Sequence, residues 1–349
     1  MNKILKFSVA LGLSTIVMAS CADNKKEEIA QTDKKEEVAK KVEEVKELPI
    51  TKIPNVTNGA ESYFSPDGKA VIFNGKIGQD STHYVYTVNI DGTDLKKING
   101  KGDDACSHYT PDGKNLLWTS TRDNLDMHRG NYSDPKDYPQ GAELYMSDLN
   151  GDHIVRLTNN KHYDAEIGIS PDGTTILFSR QNDKGEIDLW TMNPDGSSQK
   201  QITFTPDWQE GGAFIMGDNK TILLRAWKKS EEGQKTKDMH LFTVDVDGKN
   251  QKQISHKSGT HWAPFPAPDG VHFAYVTVFP PHNYEIMLRN LKTGEEQRLT
   301  NDSGFDGFPS FSPDGKTISF SSSRGNEKGD RSLKLYTMDV SSLNLGAKK

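Results

Sequence analysis

The sequence predicts an all-β protein, a six-bladed β-propeller of four-stranded blades, and three observations carry that expectation. A Pro-Asp-Gly segment recurs along the chain. Each copy precedes an apolar run of strand length. The 349 residues include 30 glycines and 16 prolines, which suits a turn-rich β protein better than a helical bundle, where interior glycine is disfavoured. A net charge of −6 gives no overall positive field for nucleic acid. The two cysteines, Cys21 and Cys106, make neither a disulfide framework nor a metal knuckle.

The elements follow in order. Residues 1–20 read as an export signal: Lys3 and Lys6, an apolar run from Phe7 to Met18, then small Ala19 and Ser20 before Cys21. The run is too short to serve as a membrane-spanning anchor. Met18-Ala19-Ser20-Cys21 resembles the lipobox of bacterial lipoproteins, which implies cleavage before Cys21 and acylation of its thiol. Residues 21–47 then read as the lipidated cysteine and a charged tether, with seven lysines against eight acidic residues between Asn24 and Glu47. Such a segment cannot build a core.

The propeller is expected over residues 48–345. Ser65-Pro66-Asp67-Gly68 recurs at Thr110–Gly113, Ser170–Gly173, Ala267–Gly270 and Ser312–Gly315, with a degenerate copy at Met216–Lys220. Proline presets φ and glycine accepts positive φ, so each triplet specifies a tight turn between a first and a second strand. Second strands follow (Ala70 to Phe73 in the first unit), then third strands (Tyr84 to Val88), and Asp-Gly or similar hairpin signals such as Asp91-Gly92. Short fourth strands end in Arg156-Leu157-Thr158, Gln201-Ile202-Thr203, Arg298-Leu299-Thr300 and similar triplets. The sixth unit lacks a fourth strand. Pro49-Ile50-Thr51-Lys52 is expected to supply it and close the ring.

The Ser-Pro-Asp-Gly-Lys repeats, third strands such as Leu189-Trp190-Thr191-Met192-Asn193 and the Arg-Leu-Thr endings resemble the TolB-like propeller family over about residues 48–340. The resemblance implies the fold strongly and the function weakly. It implies an envelope role beside a lipoprotein partner for TolB itself, which has an additional α/β domain where this chain has a lipobox and tether. Similar propellers include metal-dependent oligogalacturonate lyases and the propellers of prolyl oligopeptidase relatives. No GxSxG elbow is present here, so the peptidase activity does not carry over.

The topology sorts the loops. Uniform Pro-Asp-Gly and Asp-Gly turns share one face, and irregular second-to-third loops and blade connections share the other, where recognition is expected. Seven residues before each turn stand Gly59, Asp104, Asp164, Glu210, His261 and Asp306, joined two residues on by Glu61, Cys106 and Glu166. Two readings stand: an acidic ring at the channel mouth able to take a cation or an amine, or blade-to-blade salt bridges to Lys76, Arg122, Arg180, Arg225 and Arg324. His128, Arg129, Tyr132, His162, Trp208, Trp227, Trp262 and His282 are the further ligand-binding candidates, as stacking platforms beside charge. Trp118 and Trp190 are expected in the core, and Cys106 as a buried small residue. No cofactor is expected. A divalent cation on His108, His162 and His261 with Asp104 or Asp164 is the minor alternative.

These readings converge on a lipid-anchored propeller of the bacterial cell envelope, at the outer membrane and facing periplasm or surface. It is expected to be monomeric and to bind an envelope protein, a peptide or a carbohydrate. The alternative is a glycan-acting lyase or hydrolase using Asp104, Asp164, Glu210, His162 and His261.

Overall fold

The computed structural model describes residues 46–234 and 237–347. The signal, Cys21 and the charged tether lie outside the described residues. Among the described residues, no helix is long and apolar enough to cross a membrane. They form six four-stranded antiparallel sheets, each following chain order except the last, and 3₁₀ turns at Lys229–Glu231 and Ser341–Leu343 are the helical segments. The innermost strands are Gly59–Phe64, Asp104–Tyr109, Asp164–Ile169, Trp208–Ile215, His261–Pro266 and Asp306–Phe311. Each lies beside the next, and the first lies beside the sixth, so the blades form a closed ring.

The sixth blade takes its outer strand from the start of the chain. Ile50–Lys52 pairs antiparallel with Lys334–Asp339, with Ile50 opposite Met338 and Lys52 opposite Tyr336. Leu48 and Ile50 pack with Met338, Val340 and Leu345 in one apolar cluster. Ring closure is therefore a hydrogen-bonded and apolar clasp between the two ends of the propeller.

The repeated turn works as its residues dictate. In the first blade Ser65 Oγ donates to Asp67 Oδ1 at 2.6 Å, the Gly68 amide donates to the Ser65 carbonyl at 2.8 Å, and Gly68 sits at φ 72°. The degenerate fourth copy keeps the geometry by placing Asn219 in the glycine's position at φ 54°, a conformation asparagine tolerates better than most residues.

Second and third strands run one to four residues beyond their expected limits, whereas the outer strands are mostly two residues long and stop before the Leu-Thr or Ile-Thr endings. Those endings have a different task. The hydroxyls of Thr158, Thr203, Ser255 and Thr300 accept the buried amides of Leu144, Leu189, Leu241 and Ile286 at 2.8–3.0 Å, capping the third strand where the outer strand has peeled away. In blades two and five the arginine of the same triplet donates to a glutamate within the first three residues of the third strand, Arg156 to Glu143 at 2.9 Å and Arg298 to Glu285 at 2.6 Å.

Every blade buries a wall of apolar residues against its neighbours. Trp118 is fully buried and stacks near Tyr145, as expected of a core residue. Trp190 is only half-buried. Its free face is covered by Arg180, whose guanidinium lies 4.6 Å from the ring centroid.

Candidate functional site

Each innermost strand breaks register once. The irregularities fall between Ala60 and Tyr63, Ala105 and Ser107, Ala165 and Gly168, Gly211 and Phe214, Trp262 and Phe265, and Gly307 and Ser310. At all six the chain turns left-handed: Glu61, Cys106, Glu166, Gly212, Ala263 and Phe308 have φ between 45° and 55°. Five of these carry side chains that ordinarily avoid that region, so the bulge is imposed by the architecture rather than by glycine. These six residues line a single cavity of about 530 Å³ on the irregular face.

The cavity is a funnel with a floor. Two residues beyond the bulges, Tyr63 and Phe214 come from opposite blades yet lie 5.8 Å apart, centroid to centroid. His108 is 3.9 Å from Tyr63, and Phe265 is 4.7 Å from Phe214. Rings from four blades therefore meet on the axis and plug the channel. Burial alone lowers His108 to a pKa of about 3, so it is neutral in the plug. The walls are largely aromatic: Tyr132 and Tyr138 from the long blade-two loop, Trp227, Trp262, Tyr284, Phe305 and Phe308. Tyr138 stacks on Tyr163 at 4.3 Å, and the Tyr132 hydroxyl donates to the Asp103 carbonyl at 3.0 Å, so both loop tyrosines are held from behind.

The polar groups sit just above the floor. Glu61 accepts from Asn74 Nδ2 at 2.9 Å and from the Cys106 amide at 3.2 Å. Its pKa is raised, chiefly by burial and further by Glu166. Burial likewise raises the Cys106 thiol, which is protonated at neutral pH. Cys106 thus lines the funnel on a bulge instead of filling a core position. Glu166 accepts from Ser179 Oγ and the Gly212 amide, each at 2.8 Å, and from Arg225 Nη2 at 2.6 Å. Burial opposes the charge on Arg225, and Glu166 outweighs it.

The structure separates the expected site residues into groups. Tyr132, Trp227 and Trp262 line the funnel. His128 and Arg129 line a smaller cavity of about 250 Å³ beside the blade-two loop. Trp208 packs edge-on against Phe242 at 5.3 Å, His162 faces Asp183 at 2.7 Å, and His282 is exposed. None of these three lines the funnel. Asp104, Asp164, Glu210, His261 and Asp306 are buried behind the bulge residues and do not line it either.

Of the expected blade-to-blade salt bridges, Arg225 of blade four to Glu166 of blade three forms, whereas those of Arg180 and Arg324 become pairs within a blade. Arg180 grips Asp164 through Nε and Nη2 at 2.7 and 2.6 Å, and Arg324 donates to Asp306 at 2.6 Å, because each pair faces across one hairpin. Arg122 donates instead to Asn99 Oδ1 at 2.9 Å, and Asn99 Nδ2 donates to Asp104 at 2.8 Å. Glu210 accepts from Gln251 at 3.2 Å, and His261 Nε2 meets the Lys257 carbonyl at 3.1 Å. His108, His162 and His261 lie in three different settings. Among the described residues no three His, Cys, Asp or Glu side chains are arranged to hold a metal ion.

Sequence reasoning missed the aromatic plug and misplaced Arg225. A signal for the plug was available, since Tyr63, His108, Phe214 and Phe265 all stand three residues before their turns. Arg225 pairs in register with Gly211, as Ser179 does with Ala165 and Ser321 with Gly307. It therefore faces the channel, one residue out of step with Arg180.

The family comparison agrees with this architecture. The TolB β-propeller domain family matches residues 224–346. The chain folds as a TolB-like six-bladed propeller. It superposes on the structure of a putative TolB from Agrobacterium tumefaciens with a TM-score of 0.58 at 18% identity, covering 83% of this chain and 96% of that one. An oligogalacturonate lyase from Vibrio parahaemolyticus gives 0.51 at 14% identity, covering 85% and 95%. The Tol-Pal system protein TolB of Alcanivorax borkumensis is 32% identical over 84 residues, 24% of this TolB-like chain and 19% of its own length. The chain spans about half the length, or less, of the curated relatives it matches first.

Proposed function

We propose that this TolB-like propeller is a cell-envelope binding module that receives a peptide segment of an envelope protein in its funnel. The observation that carries the reading is the shape and lining of the cavity: a floor sealed by Tyr63, His108, Phe214 and Phe265, aromatic walls, and a few polar groups fixed above the floor. A closed aromatic funnel with preset polar contacts suits a chain end or a loop tip. The Tol-Pal assignment of one relative supports an envelope partner. The fold shared with the oligogalacturonate lyase carries over architecture alone.

The reading includes a lipid anchor at Cys21. Changing Cys21→Ala is expected to move the protein out of the membrane fraction and remove the acyl mass; unchanged fractionation with no acyl mass on the parent protein would refute it. For the funnel, a photo-cross-linking residue at Phe308 in the full chain is expected to capture one envelope protein. Trp262→Ala, removing a wall of the funnel, should reduce that capture at least tenfold. Cross-links obtained equally well from Asp112 on the opposite, turn-bearing face would overturn the placement.

A further inference from the structure

The six left-handed positions are equivalent in backbone but not in content. Five project a side chain, and the sixth is Gly212 in blade four. A Cβ at Gly212 would lie 3.1 Å from Arg225 Nε. In the same blade the second-strand position held by Asn74, Thr119, Ser179, Val276 and Ser321 in the other blades holds Arg225. Asn74 Nδ2 and Ser179 Oγ donate to the bulge glutamates Glu61 and Glu166. Blade four has no such side chain to support, and its arginine fills the vacated space.

Arg225 is more than nine-tenths buried, and only its Nη2 has a protein partner, Glu166. Nε and Nη1 have no hydrogen-bond partner among the described residues, and neither does Nε1 of the buried Trp227. The Arg225 guanidinium and Lys237 Nζ both approach the Trp227 ring, at 5.0 and 4.8 Å from its centroid. Burial, and then the nearby arginine, lower the Lys237 pKa, as expected where two cations share one wall. Two buried guanidinium donors left open beside a second cation are costly unless something accepts from them. Nε and Nη1 lie on different edges of the guanidinium, so a carboxylate would accept from Nη1 together with Lys237 Nζ, on the wall the two cations share.

We propose that Arg225, Lys237 and Trp227 form a carboxylate-accepting subsite in the funnel wall, which takes the carboxylate of a peptide whose adjoining aromatic or apolar group lies against Trp262 and Phe308. This inference rests on the funnel being a peptide site and names the group it recognises. The carboxylate can be a chain terminus or an acidic side chain, and the test separates them.

The full chain is titrated by calorimetry with N-acetyl-phenylalanine, N-acetyl-phenylalaninamide and N-acetyl-aspartyl-phenylalaninamide. The free acid is expected to bind at least tenfold more tightly than the amide if a chain terminus is recognised. The aspartyl peptide shows that advantage if a side chain is. Arg225→Lys keeps a cation facing Glu166 while removing the unpaired guanidinium donors, and should abolish most of the advantage. Lys237→Gln, which leaves the Glu166 pair intact, should reduce it several-fold. Equal affinity for both acids and the amide, or no binding of any, overturns the subsite. Capture of a partner through Phe308 in that event would leave the funnel reading standing, whereas loss of both would remove the two together.

Discussion

Asp104, Asp164 and Asp306 head three innermost strands at equivalent positions, and their neighbours decide what each costs. Asp164 and Asp306 each face an arginine across a hairpin, whereas Asp104 meets Asn99 and the Val85 amide with no cation of its own. Burial accordingly lifts Asp104 to a pKa of about 7 despite those hydrogen bonds. A raised carboxyl holds its proton longer in the folded state, so its contribution to stability is full below about pH 4 and lost as pH rises through about 7. Asn at this position cannot ionise. Urea unfolding of Asp104→Asn should therefore improve relative to the parent by about 2 kcal/mol between pH 5 and pH 8; a difference independent of pH would contradict the assignment. His108, depressed by burial, works in the opposite sense and loses stability as pH falls below its ordinary range, so the parent profile alone would blur the two. The acids were legible in the sequence as a register, yet their role was not. The repeat spacing counts residues, and a bulge shifts which of them faces the axis, so the visible set lies behind the wall and the set two residues on forms it.

At the scale of the element, the Pro-Asp-Gly turn and the strand after it could be read directly, because turn chemistry is local. The outer strand could not. Its Leu-Thr endings look like strand, but the threonine hydroxyl replaces a ladder bond, and nothing local distinguishes a residue that extends a strand from one that caps its neighbour. The fourth blade offers a test of local turn chemistry. Asn219 holds the left-handed position and also accepts from the Asp172 amide of the neighbouring blade at 3.0 Å. Asn219→Ala should lose about 1–2 kcal/mol in denaturant unfolding, since alanine has neither the tolerance for positive φ nor the acceptor. Asn219→Gly should lose less than half as much, because it forfeits only the acceptor. Equal losses would mean that the backbone conformation is not what asparagine supplies.

At the scale of the molecule, the repeat count, the missing sixth outer strand and the spare Ile-Thr segment near the start together made ring closure foreseeable. The funnel floor was not, since residues 151 apart on opposite blades had to be placed across one axis before Tyr63 and Phe214 could be seen to meet. The clasp bears on the whole ring: without Ile50–Lys52 the sixth blade presents a bare edge and its apolar cluster loses Leu48 and Ile50. A chain beginning at Asn55 should melt at least about 5 °C below one beginning at Lys46, given a loss of roughly 2 kcal/mol or more. Identical melting curves would show that the ring closes without it.

The six bulges have one further consequence. Their backbone is set by the blade and tolerates glutamate, cysteine, glycine, alanine and phenylalanine alike, so the string Glu61, Cys106, Glu166, Gly212, Ala263, Phe308 behaves as a six-letter word written on an unchanging page. The side chains that two propellers of this build present to the funnel can therefore be compared by reading those six letters before anything else.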